Sequence, residues 1–260
     1  MASGTTHQTR QRFGRLIERA DGRDFPYYDG VPVEVAGWKW GVIVLSCLAG
    51  FAALIFYPAA NNFQSLVPRI IFPAIPLAVF IGFTGRWWKA LFRKLSGADY
   101  LTMVVFFLLN LAVTAGVGAV VLAVFGANAN PATDGLLDGG PVELISFYAG
   151  TGIQLFGEEI FTILPFLAIM YLLYTKAHFS RNTSVILAWL ITAAGFGAAH
   201  LPTYGWNFAQ AFLIIGTARL VLTLAYIRTK NILVSTGAHI LNDWVTFTVT
   251  VVVAGAAAAS

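Results

Sequence analysis

Charged side chains are scarce in this chain. Lys, Arg, Asp and Glu make up 11% of its 260 residues, and hydrophobic residues make up 58%. Soluble domains carry about 25% charged residues, so this composition excludes both a soluble enzyme and a disordered chain. The apolar residues lie in long runs, which is typical of an integral membrane protein with several spans. The net charge of +4 does not indicate a nucleic-acid partner, because basic residues of membrane proteins mainly set orientation.

Other signals are missing as well. Cys47 is the only cysteine, which excludes a disulfide within the chain. The HExxH pattern of helical zinc proteases does not occur. Residues 1–37 are polar and have no apolar core of the kind found in signal peptides, so we expect a polar N-terminal tail followed by a membrane domain over 38–260.

The apolar runs predict an all-α transmembrane bundle of about seven spans. A span needs roughly 20 residues, and the fourth segment is longer than that, which leaves room for a tilt or a separate leading helix. The segments lie near 38–57, 68–85, 100–125, 143–174, 184–200, 207–227 and 232–254.

The polar tail contains one amphipathic stretch. Phe13, Leu16, Ile17 and Ala20 fall on one helical face, with arginines around them. This pattern predicts a short interfacial helix on an anionic leaflet, and an unstructured tail is the alternative.

Basic residues alternate between the loops. They precede the first span and follow the second, fourth and sixth, and the opposite side holds only Arg69. By the positive-inside rule, the N-terminus is cytoplasmic and the C-terminus is outside, and we expect the cell membrane as the location.

Ionisable side chains within a bilayer cost roughly 2.5–3.5 kcal/mol or more each, and the second half of the chain has several. They lie on four different spans, which predicts one shared polar cavity in which each finds a partner or water. The set is Glu158, Glu159, His200, Arg219, His239 and Asp243, with Asn242 beside the last.

The spacing of these residues adds detail. His239 and Asp243 are four residues apart and therefore share a helix face. Glu158 and Glu159 are about 100° apart around the helix, so only one can point squarely into a cavity. Structural roles are the alternative for each: an interfacial histidine for His200, a hydrogen-bonded clip for the pair on the last span, and, for Arg219, a side chain that reaches the cytoplasmic surface. We prefer that last role for Arg219.

The same residues form three motifs in order. They are EEIFTI at 158–163, FGAAH at 196–200 and HILND at 239–243. This pattern resembles the EExxxR, FxxxH and HxxxN/D motifs of the CAAX protease and bacteriocin-processing (CPBP) family, also called type II CAAX prenyl endopeptidases or the abortive-infection family. The motif-bearing core covers about 143–254. There are two departures: Ile163 replaces the usual arginine, for which Arg219 is a candidate substitute, and Asp243 stands where many members have Asn.

The resemblance implies an intramembrane endopeptidase acting on a peptide or membrane-protein substrate in the lipid bilayer, without a cofactor. Carried over by position, Glu158 activates a water that His200 helps to hold, while His239 and Asp243 stabilise the oxyanion. Since an ionised Asp243 would repel that oxyanion, it is either protonated or orients His239 by accepting its N–H. We prefer the orienting role.

Three alternatives stay open. A plausible set of zinc ligands is Glu158, His200 and His239, with Asp243 as an outer residue that hydrogen-bonds one of the ligands. The resemblance favours a metal-free mechanism. The chain could instead be an inactive membrane scaffold or a bacteriocin-immunity-type protein. A proton-coupled transporter is the third alternative. Two features argue against it: the charged residues within the spans are confined to the second half of the chain, and no inverted repeat is visible.

The depths of the candidate residues in the membrane, counted along the helices, do not agree with one another. Counted at about 1.5 Å per residue from the nearest cytoplasmic basic residues, Glu158 and His200 both lie roughly 27 Å deep. On the same count His239 lies only about 12 Å deep. The sequence therefore predicts a tilt or shift of the last helix, or a misplaced boundary.

Overall fold

A computed structural model describes residues 12–134, 136 and 140–258, and all the regular structure in this part is helical. The predicted all-α class is confirmed. Short 3₁₀ or π-helical turns extend several of the helices, at Gly85–Leu91, Leu172–Lys176 and Gln210–Ile215. The seven α-helices of the described residues are α1 (Gly37–Phe56), α2 (Asn62–Thr84), α3 (Gly97–Phe125), α4 (Pro141–Tyr171), α5 (Arg181–Ala199), α6 (Gly216–Thr229) and α7 (Ile232–Ala258).

Six helical segments of the described chain are long and apolar enough to cross a membrane, so the predicted membrane bundle is confirmed. The over-long fourth segment is a single stretch, Pro141–Lys176, with no separate leading helix. The predicted seventh span corresponds to α7, which has 27 residues but is not one of the six. The six are Gly37–Phe56, Asn62–Leu91, Gly97–Phe125, Pro141–Lys176, Arg181–Ala199 and Gln210–Thr229.

Helix α4 lies at the centre of the bundle. In its most apolar window 72% of the residues are buried, compared with 17% for α3, whose leucines and valines face outward. Small residues let α2 approach α4 closely, as is common between membrane helices. A Cβ at Gly157 would lie 2.6 Å from the ring of Phe72. The first motif, EEIFTI, therefore sits on the most enclosed helix of the protein.

Residues 12–36, here named the N-terminal strap, pack against one end of the bundle. Residues 15–17 form a turn where the sequence predicted a short interfacial helix. Leu16 is 93% exposed whereas Glu18 is only 2% exposed. The conformation of the tail is therefore determined by its contacts with the rest of the protein, which the spacing of residues along the chain does not predict.

Buried ion pairs hold the strap in place. The Arg181 guanidinium donates to both carboxylate oxygens of Glu18, at 2.8 and 2.9 Å, and also to Asp24. Lys230 Nζ donates to Glu18 Oε2 at 2.6 Å. Glu18 thus links the strap to the start of α5 and to the connection between α6 and α7.

The positions of Lys230 and His239 bear on the conflict in helix depth. Lys230 is 1% exposed, because it lies under the strap. The count that placed His239 only about 12 Å deep started from this residue as if it were at the membrane surface. Arg181, from which the depth of His200 was counted, is also buried and binds the same Glu18, so burial under the strap does not distinguish His239 from His200. His239 Nε2 nevertheless lies 3.8 Å from Glu158 Oε2, so α7 is shifted along the bundle relative to α4, as the helix count predicted.

We expect Glu18→Gln to destabilise the protein by about 3–5 kcal/mol, the usual effect of removing one partner of a buried ion pair. Burial alone would raise the pKa of Glu18, but hydrogen bonds from Arg181 and Lys230 hold it below its ordinary value of 4.5. The stabilisation is therefore present above about pH 4.5 and is lost as the pH falls through the lowered pKa. Thermal unfolding in detergent between pH 3 and 7 measures both effects.

Glu34→Gln is the matched control, because Glu34 lies on the same strap and is exposed. Equal losses of stability in the two variants would contradict a special role for Glu18.

Candidate active site

A cavity of about 470 Å³ lies inside the bundle. It brings together side chains from both halves of the chain, and Glu159 is the only member of the predicted set that does not line it. The predicted residues that do line it are Glu158, His200, Arg219, His239, Asn242 and Asp243.

The two adjacent glutamates point in different directions, as their spacing on a helix requires. Glu158 lines the cavity, and its Oε1 accepts a hydrogen bond from Gln154 Nε2 at 3.0 Å. Glu159 is fully buried in protein. Gln154 was not among the predicted site residues, although it precedes Glu158 by four residues and therefore shares its helix face.

Arg219 from α6 pairs with the buried glutamate. Its Nη2 donates to Glu159 Oε1, and both side chains are 0% exposed. Its Nη1 donates to Thr162 Oγ1 at 3.1 Å, and the guanidinium lies 4.5 Å from the ring centre of Phe196. The interpretation that Arg219 reaches the cytoplasmic surface is wrong, because these contacts hold it in the interior. Ile163, at the position of the family's arginine, is buried in the apolar core.

His239 from α7 completes this buried group. Its Nδ1–H donates to Glu159 Oε1 at 3.0 Å. Nε2 lies 3.8 Å from Glu158 Oε2 and 3.8 Å from Asp243 Oδ2, beyond hydrogen-bonding distance. The acceptor that orients the imidazole is therefore Glu159, and the orienting role that the sequence analysis preferred for Asp243 is not what the geometry supports.

Asp243 and its neighbour form a second polar pair at the cavity. Asn242 Nδ2 donates to Asp243 Oδ1 at 2.9 Å. Asn242 Oδ1 is buried and has no hydrogen-bond partner among the described residues. An acceptor without a partner at a cavity wall suits a water or a substrate N–H.

His200 closes α5 and is held by its own motif. Its Nδ1–H donates to the backbone oxygen of Phe196 at 2.8 Å, and the two rings lie 4.5 Å apart. Because Nδ1 is used in this way, Nε2 of the neutral ring carries the lone pair. Phe196 thus serves both ends of the site, since its carbonyl orients His200 and its ring faces Arg219.

Several cavity residues were not singled out as site candidates from the sequence. Tyr204 lies in the loop after α5, and burial raises its pKa to about 12, so its hydroxyl keeps its proton at neutral pH. Asn110 and Arg69 contribute polar groups from α3 and α2. An isolated amide such as Asn110 within an apolar run was a readable signal, but Asn242 was the only amide within the spans that was singled out from the sequence.

The zinc alternative was tested on the donor geometry. Among the described residues, no group of three or more His, Cys, Asp or Glu side chains is placed to hold a metal ion, so Glu158, His200 and His239 do not form such a set. We therefore derive no chemical step through a metal.

The fold and the cavity define an integral membrane protein with acidic and imidazole groups enclosed between helices. A family model, Type II CAAX prenyl endopeptidase Rce1-like, matches residues 141–245. This segment runs from α4 into α7 and includes all three motifs, so the resemblance of this part of the chain to the CAAX protease family is confirmed. Comparisons with curated proteins and with solved structures give no match.

The buried pair predicts strongly coupled mutations. Arg219→Met or Glu159→Gln alone should destabilise the protein by about 3–5 kcal/mol, because each leaves an unpaired polar or charged group. The double variant should be more stable than the sum of the two losses predicts. Unfolding in mixed detergent micelles measures all four forms. Simple additivity, or no effect of Arg219→Met on folding and activity, would contradict the assigned role.

Proposed function

We propose that this protein is an intramembrane endopeptidase of the CAAX-protease type, which hydrolyses a peptide bond with a water activated by Glu158. The observation that carries the proposal is the difference in bonding partners between the two adjacent glutamates. Glu159 is matched by Arg219 and His239, whereas Glu158 faces the cavity with one hydrogen bond, from Gln154, among the described residues. The Rce1-like match over 141–245 supports the same reaction class.

Glu158 is suited to act as the general base. Its carboxylate has free lone pairs toward the cavity, and a carboxylate shielded from bulk water can take a proton from a bound water. A water about 2.8 Å from Glu158 Oε2 also reaches His239 Nε2, since these two atoms are 3.8 Å apart. His200 also lines the cavity, and its Nε2 can accept the second hydrogen of that water, which directs an oxygen lone pair at the substrate. Glu158 then returns the proton it has taken up to the leaving amine as the peptide C–N bond breaks.

The oxyanion requires donors. Tyr204 keeps its proton and can donate an O–H, and His239 in its doubly protonated form donates Nε2–H. Asp243 lies beside that nitrogen and, as argued from charge, contributes to oxyanion binding only when protonated. Glu159 and Arg219 act through His239 and are positioning residues.

Glu158→Gln should lower the rate of peptide hydrolysis by a factor of about 10²–10⁴, the usual contribution of a general base, without a change in thermal stability. The assay uses purified protein in liposomes with a library of quenched fluorescent peptides, and mass spectrometry identifies the cut bonds.

Glu143→Gln is the control, because Glu143 is on the same helix but at its first turn, where it accepts from the Asn62 N–H. If neither the wild type nor the Glu158→Gln variant hydrolyses any peptide, and both proteins have the same effect in cells, the scaffold or immunity-type function is favoured instead.

We also propose an N-terminus in the cytoplasm of a cell and a cavity that opens on the opposite side. The basic residues Arg93, Arg181 and Lys230 cluster with the strap at one end of the bundle. The cavity is instead lined by Asn130 and Tyr204, from the loops after α3 and α5 at the other end. The positive-inside rule assigns the basic end to the cytoplasm.

Cysteine labelling tests this orientation. In a Cys47→Ala background, Trp206→Cys places a thiol in the exposed loop after α5, and Arg86→Cys places one at an exposed position of the 3₁₀ turn after α2. A membrane-impermeant maleimide added to intact cells should label the first and should label the second only after permeabilisation. The reverse pattern would place the cavity on the cytoplasmic side.

A further inference from the structure

Arg69 is a cation within the apolar helix α2, outside the segment that matches the family model. It lines the same cavity as Glu158. The other cavity arginine, Arg219, and the buried Arg181 each bind at least one carboxylate. Arg69 is therefore the arginine of this cavity whose charge needs an explanation.

The surroundings of Arg69 leave its charge unmatched. Its one hydrogen bond to a described residue is to the backbone oxygen of Phe147, and the bond is long at 3.5 Å. Within residues 12–134, 136 and 140–258, no carboxylate oxygen lies within 4.0 Å of its guanidinium. Arg69 is half-buried at the cavity wall, and a partly buried charge without a partner is unfavourable, so the arrangement suits an anionic ligand that enters the cavity.

The neighbouring helix is shaped to receive this side chain. A Cβ at Gly150 of α4 would lie 2.4 Å from Arg69 Nη1 and 2.9 Å from its Cδ. Only glycine leaves this space, so the guanidinium rests across α4 at a defined height. Gly150 precedes Glu158 by eight residues, which corresponds to about 12 Å along the helix axis.

Charge also divides the cavity into two ends. Glu158 and Asp243 are the acids that line it, and Glu158 lies across this interval from Arg69. An anionic group on a substrate would be repelled near these acids and attracted at Arg69. The cavity therefore favours one orientation of a peptide that carries a carboxylate at one end.

We propose that Arg69 binds a carboxylate of the peptide substrate and so determines which bond is presented to Glu158. This inference rests on the proposed peptidase function. An extended peptide advances about 3.3 Å per residue, so about 12 Å corresponds to three or four residues between the bound carboxylate and the cut bond. The carboxylate is either the free C-terminus or an Asp or Glu side chain, because a guanidinium binds both in the same two-pronged geometry.

The test uses full-length protein in liposomes and fluorogenic decapeptides in matched forms. One pair differs as C-terminal acid and C-terminal amide, and a second pair, both amidated, carries Glu or Gln four residues from the cut bond. The wild type should show a KM about 10- to 100-fold lower for the carboxylate form of one pair, as expected for a charged hydrogen bond. The pair that responds identifies the source of the carboxylate.

Arg69→Gln should abolish that preference by raising the KM of the carboxylate form, with kcat changed less than about threefold, and Arg69→Lys should restore part of it. Gly150→Ala should act in the same direction, because its methyl group displaces the guanidinium. Arg86→Gln removes an exposed arginine and should leave the preference intact. A preference that survives Arg69→Gln, or a wild type that cuts both members of each pair equally, overturns the role of Arg69 while hydrolysis by Glu158 stands.

A binding measurement separates this inference from the peptidase function. In a Glu158→Gln background, fluorescence anisotropy of the same labelled peptides reports affinity without hydrolysis. A carboxylate preference that disappears with Arg69→Gln supports the subsite even if no peptide is cut. Equal binding of both forms with Arg69 present overturns it, and failure of hydrolysis in the wild type counts only against the proposed peptidase.

Discussion

Two adjacent carboxylates inside a membrane-embedded helix cannot both stay charged without partners, and the rest of the site follows from how this protein divides them. Glu159 receives a guanidinium from α6 and an imidazole from α7. Glu158 is left to the cavity. The buried pair thus fixes the rotation of α4 and draws three helices together, because each charged group would be strongly unfavourable anywhere else.

The cation in this arrangement comes from a different helix than the family motif indicates. An arginine at position 163 would approach the acidic pair from α4 itself, but Ile163 is buried in the apolar core. Arg219 approaches from α6, and it also bonds Thr162 and faces the ring of Phe196. Electrostatic stabilisation depends on where a charge lies and not on which helix carries it. The loss of the motif arginine therefore does not by itself indicate that the acidic pair lacks a cation.

The bundle has two different ends. At one end the strap and the basic connections form a closed ionic network around Glu18, with Arg181 and Lys230 fully paired. Toward the other end, polar groups such as Asn242 Oδ1 and both amide atoms of Asn110 have no bonding partner among the described residues. Satisfied polar groups stabilise a fold, whereas unsatisfied groups at a cavity wall are available to a ligand. Buried polar atoms without a partner among the described residues also lie beside the strap, at Trp40 and Tyr226, so it is the cavity that distinguishes the second end.

Local sequence determined the helices, the membrane class, the three motifs and the divergence of Glu158 from Glu159, because hydrophobic run length and helical spacing act within one segment. Tertiary structure decided the partners. It placed Arg219 against Glu159 in the interior and not at the surface. It also made Glu159, and not Asp243, the acceptor of the hydrogen bond from His239 Nδ1–H. It also placed Lys230 beneath the strap. Such contacts depend on the relative rotation and depth of helices far apart in the chain, which no periodicity within a single segment encodes.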